Sequence, residues 1–209
     1  MFTNRSMTRR LALTVAAGTG ALTLLTACGG TDNATAGHEM AVTTHSAPPA
    51  TTATARPGAS FNDADVMFAQ NMILHHQQAV EMSDLAESRA ADAEVKELAA
   101  KIKDAQEPEI QTMEGWLETW DEPMPSGGMH HDMPGMMTAE DMKKLEDAKG
   151  AAFDRQFLRM MIAHHEGAIE MAKTEQKQGA NDEAKKLAET IESSQQTEVE
   201  QMQKIFDRL

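Results

Sequence analysis

The chain has 209 residues, a formal net charge of −14 and only 4% aromatic residues, so its core must be built largely from aliphatic side chains. The negative charge makes nucleic acid and anionic membrane surfaces poor partners, whereas it favours cations. Methionine is unusually common, with 17 copies, and tyrosine is absent. This composition predicts helices rather than sheet, and the length predicts one compact domain with additional segments.

The first 27 residues are predicted to be an export signal. Arg5, Arg9 and Arg10 precede an apolar stretch over residues 11–25, and Cys28 follows directly after Leu-Thr-Ala. This arrangement resembles a bacterial lipoprotein signal peptide, which is cleaved before a cysteine that then carries lipid. We therefore expect an exported protein held at the outer face of the cell membrane through Cys28. A short membrane anchor is the alternative, but the stretch is too short to span a bilayer comfortably. The two adjacent arginines leave both the general and the twin-arginine export routes open.

Residues 28–60 are predicted to be a flexible linker. They are rich in Thr, Ala and Pro and contain few large apolar side chains, so they cannot bury enough surface to offset the entropy of ordering.

Residues 61–209 contain one pattern twice, at a constant offset of 89 residues and without a gap. The coincidences include Phe68 with Phe157, His75-His76 with His164-His165, Gln106 with Gln195, Glu109 with Glu198, and Met113 with Met202. Gene duplication is the simplest explanation.

Each copy predicts a hairpin of two amphipathic helices. In the first copy, 61–120, helices are expected over 62–90 and 93–120, with Pro108 kinking or breaking the second. In the second copy, 151–209, a helix over 151–178 ends at Gly179, and Asn181 or Asp182 caps the last helix. The predicted fold class is all-α: a four-helix bundle, ferritin-like if the connection between the hairpins is a crossover.

The connection, residues 121–150, is predicted to be a Met/His-rich crossover. Proline and glycine exclude a helix in its first part, and Thr138 with Asp141 opens a short helix that Gly150 ends. A methionine in such a segment has no core to fill, which indicates soft-metal capture. The alternative is that these side chains pack as a lid over the bundle end. The candidate ligands here are Met129, His130, His131, Met133, Met136 and Met137.

The helices carry a second set of candidate metal ligands. These are Met72, His75, His76, Met82 and Met113 in the first copy, and Met161, His164, His165, Met171 and Met202 in the second. Helical spacing places Met72 with His76, and Met161 with His165, at the centre of the buried face. The remaining pairs, His75 with Met82 and His164 with Met171, fall on its flank. We expect the inward pairs to share a layer across the bundle, level with Glu109 and Glu198, and the flanking pairs to serve a more exposed site with the crossover.

Thioether and imidazole donors together suit Cu(I), or Ag(I), better than hard cations. Iron is less favoured because the Glu-x-x-His pattern of di-iron bundles is absent, although Glu81, Glu109, Glu170 and Glu198 lie nearby. The alternative is structural: methionines on an apolar stripe usually fill the core, and a buried histidine is usually a hydrogen-bonded core residue.

The residues at 71–82 (Asn-Met-Ile-Leu-His-His-Gln-Gln-Ala-Val-Glu-Met) and at 157–171 resemble the two signature helices of the DUF305 family. The Met-Pro-Gly-Met-Met at 133–137 resembles the central loop of that family. The resemblance covers residues 62–209 and implies a ferritin-like four-helix bundle in secreted or periplasmic bacterial proteins, some tied to copper and silver binding and tolerance. Leu74 stands where many members are expected to have proline, which removes a helix kink.

The leading functional hypothesis is a cell-surface lipoprotein that binds Cu(I), or Ag(I), for sequestration or handling and catalyses no reaction. A ferritin-like oxidase with a metal centre involving Glu109 and Glu198 is one alternative. An envelope interaction module in which the histidines only pack is another. No particular protein partner is indicated.

Overall fold

The computed structural model describes residues 60–126 and 133–209, and this part of the chain contains five helices. They are α1 (Asp63–Arg89), α2 (Ala93–Thr119), α3 (Ala139–Asp147), α4 (Ala151–Gln178) and α5 (Asp182–Arg208). The all-α prediction is confirmed, with two long hairpins, α1–α2 and α4–α5, joined by the segment that contains α3. None of the helices in these two ranges is both long enough and apolar enough to cross a membrane.

Local sequence signals set the helix ends. The side chain of Asn62 accepts hydrogen bonds from the first turn of α1 and forms a reciprocal capping box with Asp65. Asp92 caps α2, Thr138 caps α3, and Asn181 caps α5 in the same way. The predicted bounds of the four long helices are therefore correct to within about a residue.

Two local predictions differ from the structure. The prediction at Pro108 was a kink or a break; helix α2 runs without interruption through this residue, so the break does not occur. Pro108 is exposed on the outer side of the helix, where the loss of one main-chain hydrogen bond does not disturb the packed face. Helix α3 ends at Asp147 rather than at Gly150, which instead adopts φ +63° and begins α4.

The two hairpins meet mainly through α1 and α4, which run antiparallel. At one end the amide of Gly150 donates to the carbonyl of Arg89 (2.8 Å), and at the other Asn62 donates from its side chain to the carbonyl of Gln178 (2.9 Å). Because these helices are equivalent in the two copies, a pseudo-two-fold axis relates the hairpins. Residues i and i+89 can therefore face each other only where the axis passes between the helices.

The connection between the hairpins begins and ends at opposite ends of the bundle. It starts where Trp120 stacks on Phe61, next to the beginning of α1, and it ends at Gly150, beside the last residue of α1. Helices α2 and α4 are consequently parallel, as in bundles with one crossover connection.

The two aspartates at the start of α1 and α4 tie the hairpins together reciprocally. Asp154 accepts hydrogen bonds from the amides of Ala91 and Asp92, in the turn between α1 and α2. Asp65 accepts from the equivalent amides of Ala180 and Asn181, in the turn between α4 and α5. Each hairpin thus supplies a buried carboxylate to the turn of the other.

The apolar core has two parts. One part includes Leu98, Phe153 and Phe157, and the other includes Phe68 and Ile191. Between them lies a layer of buried polar side chains at mid-helix: His75, His76, Gln106, His164, His165 and Gln195, each at most 3% exposed. An uninterrupted apolar core would be simpler to build, so this layer is the first candidate for a functional site.

Candidate metal centre

His75 and His164 lie on the pseudo-two-fold axis and pack against each other. Their ring centroids are 3.7 Å apart and the ring planes are inclined by 43°. Both side chains are buried. The sequence-based prediction placed these residues on a more exposed flank, and that prediction was wrong. The flank of α1 that points away from α2 is the face that packs on α4, so it is buried where the hairpins meet.

His76 and His165 satisfy one ring nitrogen within their own hairpins. The Nε2 of His76 lies 2.7 Å from the Oε2 of Glu109, and the Nε2 of His165 lies 2.7 Å from the Oε2 of Glu198. The predicted level of both glutamates is therefore correct. Each glutamate is partly exposed while its histidine is fully buried. These pairs are repeated once in each hairpin.

The methionines of the predicted inward pairs do not share one layer. Met72 and Met113 belong to one part of the core, whereas Met161 and Met202 belong to the other. On α1, Met72 lies three residues before His75. On the antiparallel α4, Met161 lies three residues before His164. The two are therefore separated along the bundle by about 9 Å at 1.5 Å per residue. The expectation that the inward pairs meet across the bundle was wrong for this reason.

The two remaining candidate methionines of the helices also pack in the core. Met82 is fully buried in the part that contains Phe153, and Met171 is partly buried against the part that contains Phe68. Neither accompanies its predicted partner histidine at the axis. For these two residues the structural alternative, core filling, describes their surroundings.

Burial keeps the axial histidines neutral. Desolvation, followed by the neighbouring His76, lowers the pKa of His75 to about 3. Desolvation and the nearby His75 hold the pKa of His164 well below its usual range. A neutral imidazole is the form that binds metal ions, so both rings are in the ligand form at any physiological pH.

Several buried ring nitrogens in the layer lack a hydrogen-bond partner. His164 has none at either nitrogen, and the Nδ1 atoms of His75, His76 and His165 also lack one. Leaving a buried polar atom unpaired costs about 1–3 kcal/mol. Unpaired lone pairs on neutral imidazoles are what a metal ion would occupy, so the donor set fits a metal.

The segment 133–137 of the crossover lies over the axial histidines rather than over the bundle end. The Nε2 of His75 donates to the carbonyl of Pro134 (3.0 Å), and the amide of Gln78 exchanges two hydrogen bonds with the main chain of Met137 (2.7 and 3.0 Å). Met133, Met136 and Met137 are partly buried, and Met137 packs against the core. The predicted association of the crossover with the flanking histidines is therefore present.

Some predicted site residues lie outside the described ranges. They are the crossover residues Met129, His130 and His131, and the predicted lipidation site Cys28. In the two described ranges, no group of three or more His, Cys, Asp or Glu side chains is arranged to hold a metal ion. The donors at the axis are imidazole nitrogens beside a methionine-bearing segment, a set suited to soft ions.

The sequence analysis missed the contribution of two glutamine positions. Gln106 and Gln195 are buried in the layer, and Gln106 has no partner for either amide atom. Their identity in both copies was a usable signal, because a repeated polar residue on an apolar stripe needs an explanation. Gln78 was also missed. Its equivalent in the second copy is Gly167, so comparison of the two copies does not single out this position.

Known proteins are similar to this chain in sequence and fold. The family model for the domain of unknown function DUF305 matches residues 65–206. A protein of this family from Streptomyces coelicolor, described as secreted, is 37% identical over 69% of this chain and 93% of its own, with a TM-score of 0.65. A DUF305 fragment from Deinococcus radiodurans is 31% identical over 70% of this chain and 97% of its own, also with a TM-score of 0.65. No curated protein matches the chain.

A third related structure carries metal. CopM in its Cu(I)-bound form is 34% identical over 69% of this chain and 96% of its own, with a TM-score of 0.60, and CopM has also been solved with Cu(II) and with Ag. The repeated hairpins, the crossover and the matching model together show that this chain belongs to the DUF305 family.

Proposed function

We propose that this protein binds Cu(I), and Ag(I) by the same chemistry, outside the cytoplasm as a means of sequestering or handling copper. The observation that carries the proposal is the buried His75–His164 pair: two neutral imidazoles in contact, with three of their four nitrogens lacking a partner. We infer that they supply the principal nitrogen ligands, and that thioethers of segment 133–137 complete the site.

The comparisons support this proposal at the level of the family. CopM binds Cu(I), Cu(II) and Ag in its solved forms, and it shares the fold and about a third of its residues with this chain. The excess of acidic over basic residues supports it as well, because it raises the local concentration of cations.

The test is an anaerobic titration of the whole reduced protein with Cu(I) against a chromogenic chelator of known affinity. Replacing both axial histidines (H75L/H164L) should weaken Cu(I) binding by at least about a hundredfold. We expect each lost nitrogen ligand to cost about 1.4 kcal/mol or more of binding free energy, which is a factor of ten in affinity. The matched control is H38L/H45L, which makes the same change at two histidines of the predicted linker and should leave the affinity unchanged. Undiminished affinity in H75L/H164L would refute the axial site.

We propose binding without catalysis. The two His–Glu pairs, one per hairpin, are the feature that an oxidase would use. Aerobic incubation with Fe(II) or Cu(I) while oxygen is monitored distinguishes the two functions. Oxygen consumption that disappears in E109Q/E198Q would establish the oxidase and overturn this part of the proposal.

We also propose export and lipid anchoring. A related protein is described as secreted, and residues 1–28 have the pattern of a lipoprotein signal. In cells, the C28S variant should leave the membrane fraction, while the unaltered protein stays in it and can be labelled with a fatty-acid analogue. An unlabelled wild-type protein would contradict the anchor.

A further inference from the structure

Segment 133–137 is held by one hairpin and accommodated by the other. On the first hairpin, Gln78 donates from Nε2 to the carbonyl of Met137 (3.0 Å) and accepts from the Met137 amide through Oε1 (2.7 Å). These two hydrogen bonds satisfy both the amide and the carbonyl group of Met137. No other side chain among the described residues makes two hydrogen bonds to the segment.

The equivalent position of the second hairpin is Gly167, and the structure requires a glycine there. A Cβ atom at Gly167 would lie 2.1 Å from the carbonyl oxygen of Pro134 and 2.4 Å from its carbon. Gly135, with φ +76°, approaches the same helix so closely that a Cβ would lie 2.6 Å from the carbonyl oxygen of Ala163. One repeat thus provides the amide that fixes the segment, and the other provides the space it occupies.

This placement determines the tautomer of His75. The carbonyl oxygen of Pro134 can only accept a hydrogen bond, so the Nε2 of His75, 3.0 Å away, must carry the hydrogen. In a neutral imidazole the other nitrogen, Nδ1, then has a free lone pair, and it has no hydrogen-bond partner in the described structure. His164 has no such contact at either nitrogen.

We propose that Gln78 is a positioning residue of the metal site: by holding the main chain of Met137 it keeps the Pro134 carbonyl on His75, presents Nδ1 as the ligand nitrogen, and keeps segment 133–137 closed over the bound ion. The inference rests on the proposed function for its ion, but its structural part concerns the metal-free protein. Hydrogen bonds from the second nitrogen commonly orient metal-binding histidines, and here the orienting carbonyl itself needs an anchor.

The first experiment measures the tautomer of His75 without metal, by long-range proton–nitrogen correlation NMR of the nitrogen-15-labelled protein. The variants are Q78A and, as a matched control, Q77A, which removes the adjacent exposed glutamine from the same helix. The wild type and Q77A should show His75 protonated at Nε2 only. Q78A should show a mixture of tautomers. A pure Nε2–H signal in Q78A overturns the proposal.

The second experiment measures the release of Cu(I) to an excess of competing chelator by stopped flow. Q78A should release Cu(I) about tenfold faster than the wild type, a change of about 1.4 kcal/mol, because the two hydrogen bonds that close the segment are lost. Q77A should match the wild type. Equal rates in Q78A and the wild type overturn the role of Gln78 in closure.

The variant G167A provides a second approach that leaves every polar group in place. The added methyl group lies on α4, in the second hairpin, and displaces Pro134. G167A should therefore produce the same mixture of His75 tautomers and the same fast release of Cu(I) as Q78A. If the wild type binds no Cu(I), the proposed function fails while the tautomer experiment still decides the role of Gln78. If it binds Cu(I) and G167A behaves as wild type in both experiments, the positioning mechanism fails.

Discussion

The carboxyl group of Glu175 lies against the carboxylate of Asp65 at the end of the bundle. Glu175 is only 1% exposed, and the equivalent residue of the first repeat is Ala86. Gly179 makes room for this pair: a Cβ there would lie 2.1 Å from Oε1 of Glu175 and 2.8 Å from Oδ1 of Asp65. The first repeat has Ala90 at the corresponding position. Burial, followed by the interaction with Asp65, raises the pKa of Glu175 to about 8.

This pair predicts that stability falls as the pH rises. An unfolded Glu titrates near 4.5, whereas Glu175 in the folded protein titrates near 8. Between these pH values the folded state binds more protons than the unfolded state. The contribution of Glu175 to the free energy of unfolding is therefore fully present below about pH 4.5 and is lost progressively as the pH rises towards 8. Allowing for solvent screening, we expect a decline of roughly 2–3 kcal/mol.

Urea unfolding of the metal-free protein at several pH values measures this decline. The E175Q variant, which keeps the size of the side chain but cannot ionise, should lose most of the slope between pH 5 and 8. A slope equal to that of the wild type would show that another group is responsible.

Asp65 and Asp154 form a reciprocal clamp, in which each accepts hydrogen bonds from the turn of the other hairpin. We expect the removal of either aspartate to destabilise the protein strongly. In D154A, the amides of Ala91 and Asp92 lose their shared acceptor in a partly buried turn. We expect about 2–3 kcal/mol of destabilisation, because two partly buried amides are left without their acceptor. Denaturant unfolding measures it. The control D147A removes an exposed aspartate at the end of α3 and should change stability by less than about 0.5 kcal/mol. Equal effects of D154A and D147A would contradict the clamp.

Two glycine-to-alanine changes within helices should have opposite signs. Gly115 is exposed in α2, and a Cβ there meets nothing within 4 Å. G115A should therefore raise the free energy of unfolding by about 0.5–1 kcal/mol, as expected for an exposed helical glycine. G167A gains the same backbone contribution, but its methyl group would overlap the main chain of Pro134, so it should lower the free energy of unfolding. Thermal unfolding of the two variants decides the matter, and an equal rise in both would mean that segment 133–137 does not press on α4.

Replacing an axial histidine should stabilise the metal-free protein. In H164L, a buried imidazole with two unpaired nitrogens gives way to an apolar side chain, and we expect a gain of about 1–2 kcal/mol. In H165L, by contrast, Glu198 loses its partner, so stability should fall. Unfolding with and without one equivalent of Cu(I) measures both effects. Metal should stabilise the wild type and leave H164L unchanged. A loss of stability in metal-free H164L would mean that the ring serves the packing of the core.

The sequence predicts the helices well because their signals are local. Caps such as Asn62 and Asn181 mark helix starts, and the constant offset of 89 residues reveals the duplication. The pairing across the hairpins was not predictable in the same way. A helical wheel shows which face of α1 is apolar, but it does not show which face packs on α2 and which on α4, and that choice buries His75.

Differences between the repeats were harder still to interpret. Gln78 and Gly167 occupy equivalent positions and have complementary roles, yet only the path of segment 133–137 reveals the relation. The same holds for Glu175 and Gly179, whose fit depends on Asp65 from the other hairpin. Local patterns cannot supply such contacts, because they arise between residues far apart in the chain.

The pseudo-two-fold axis between His75 and His164 has a consequence for the origin of the site. A residue on a two-fold axis is its own partner, so a single ancestral hairpin that paired with a second copy of itself would have brought two imidazoles together through one histidine codon. Fusion of two such hairpins would have preserved that pair from the outset. The different roles of Gln78 and Gly167 require two different residues at one ancestral position, so they arose only after the ancestral sequence had been duplicated.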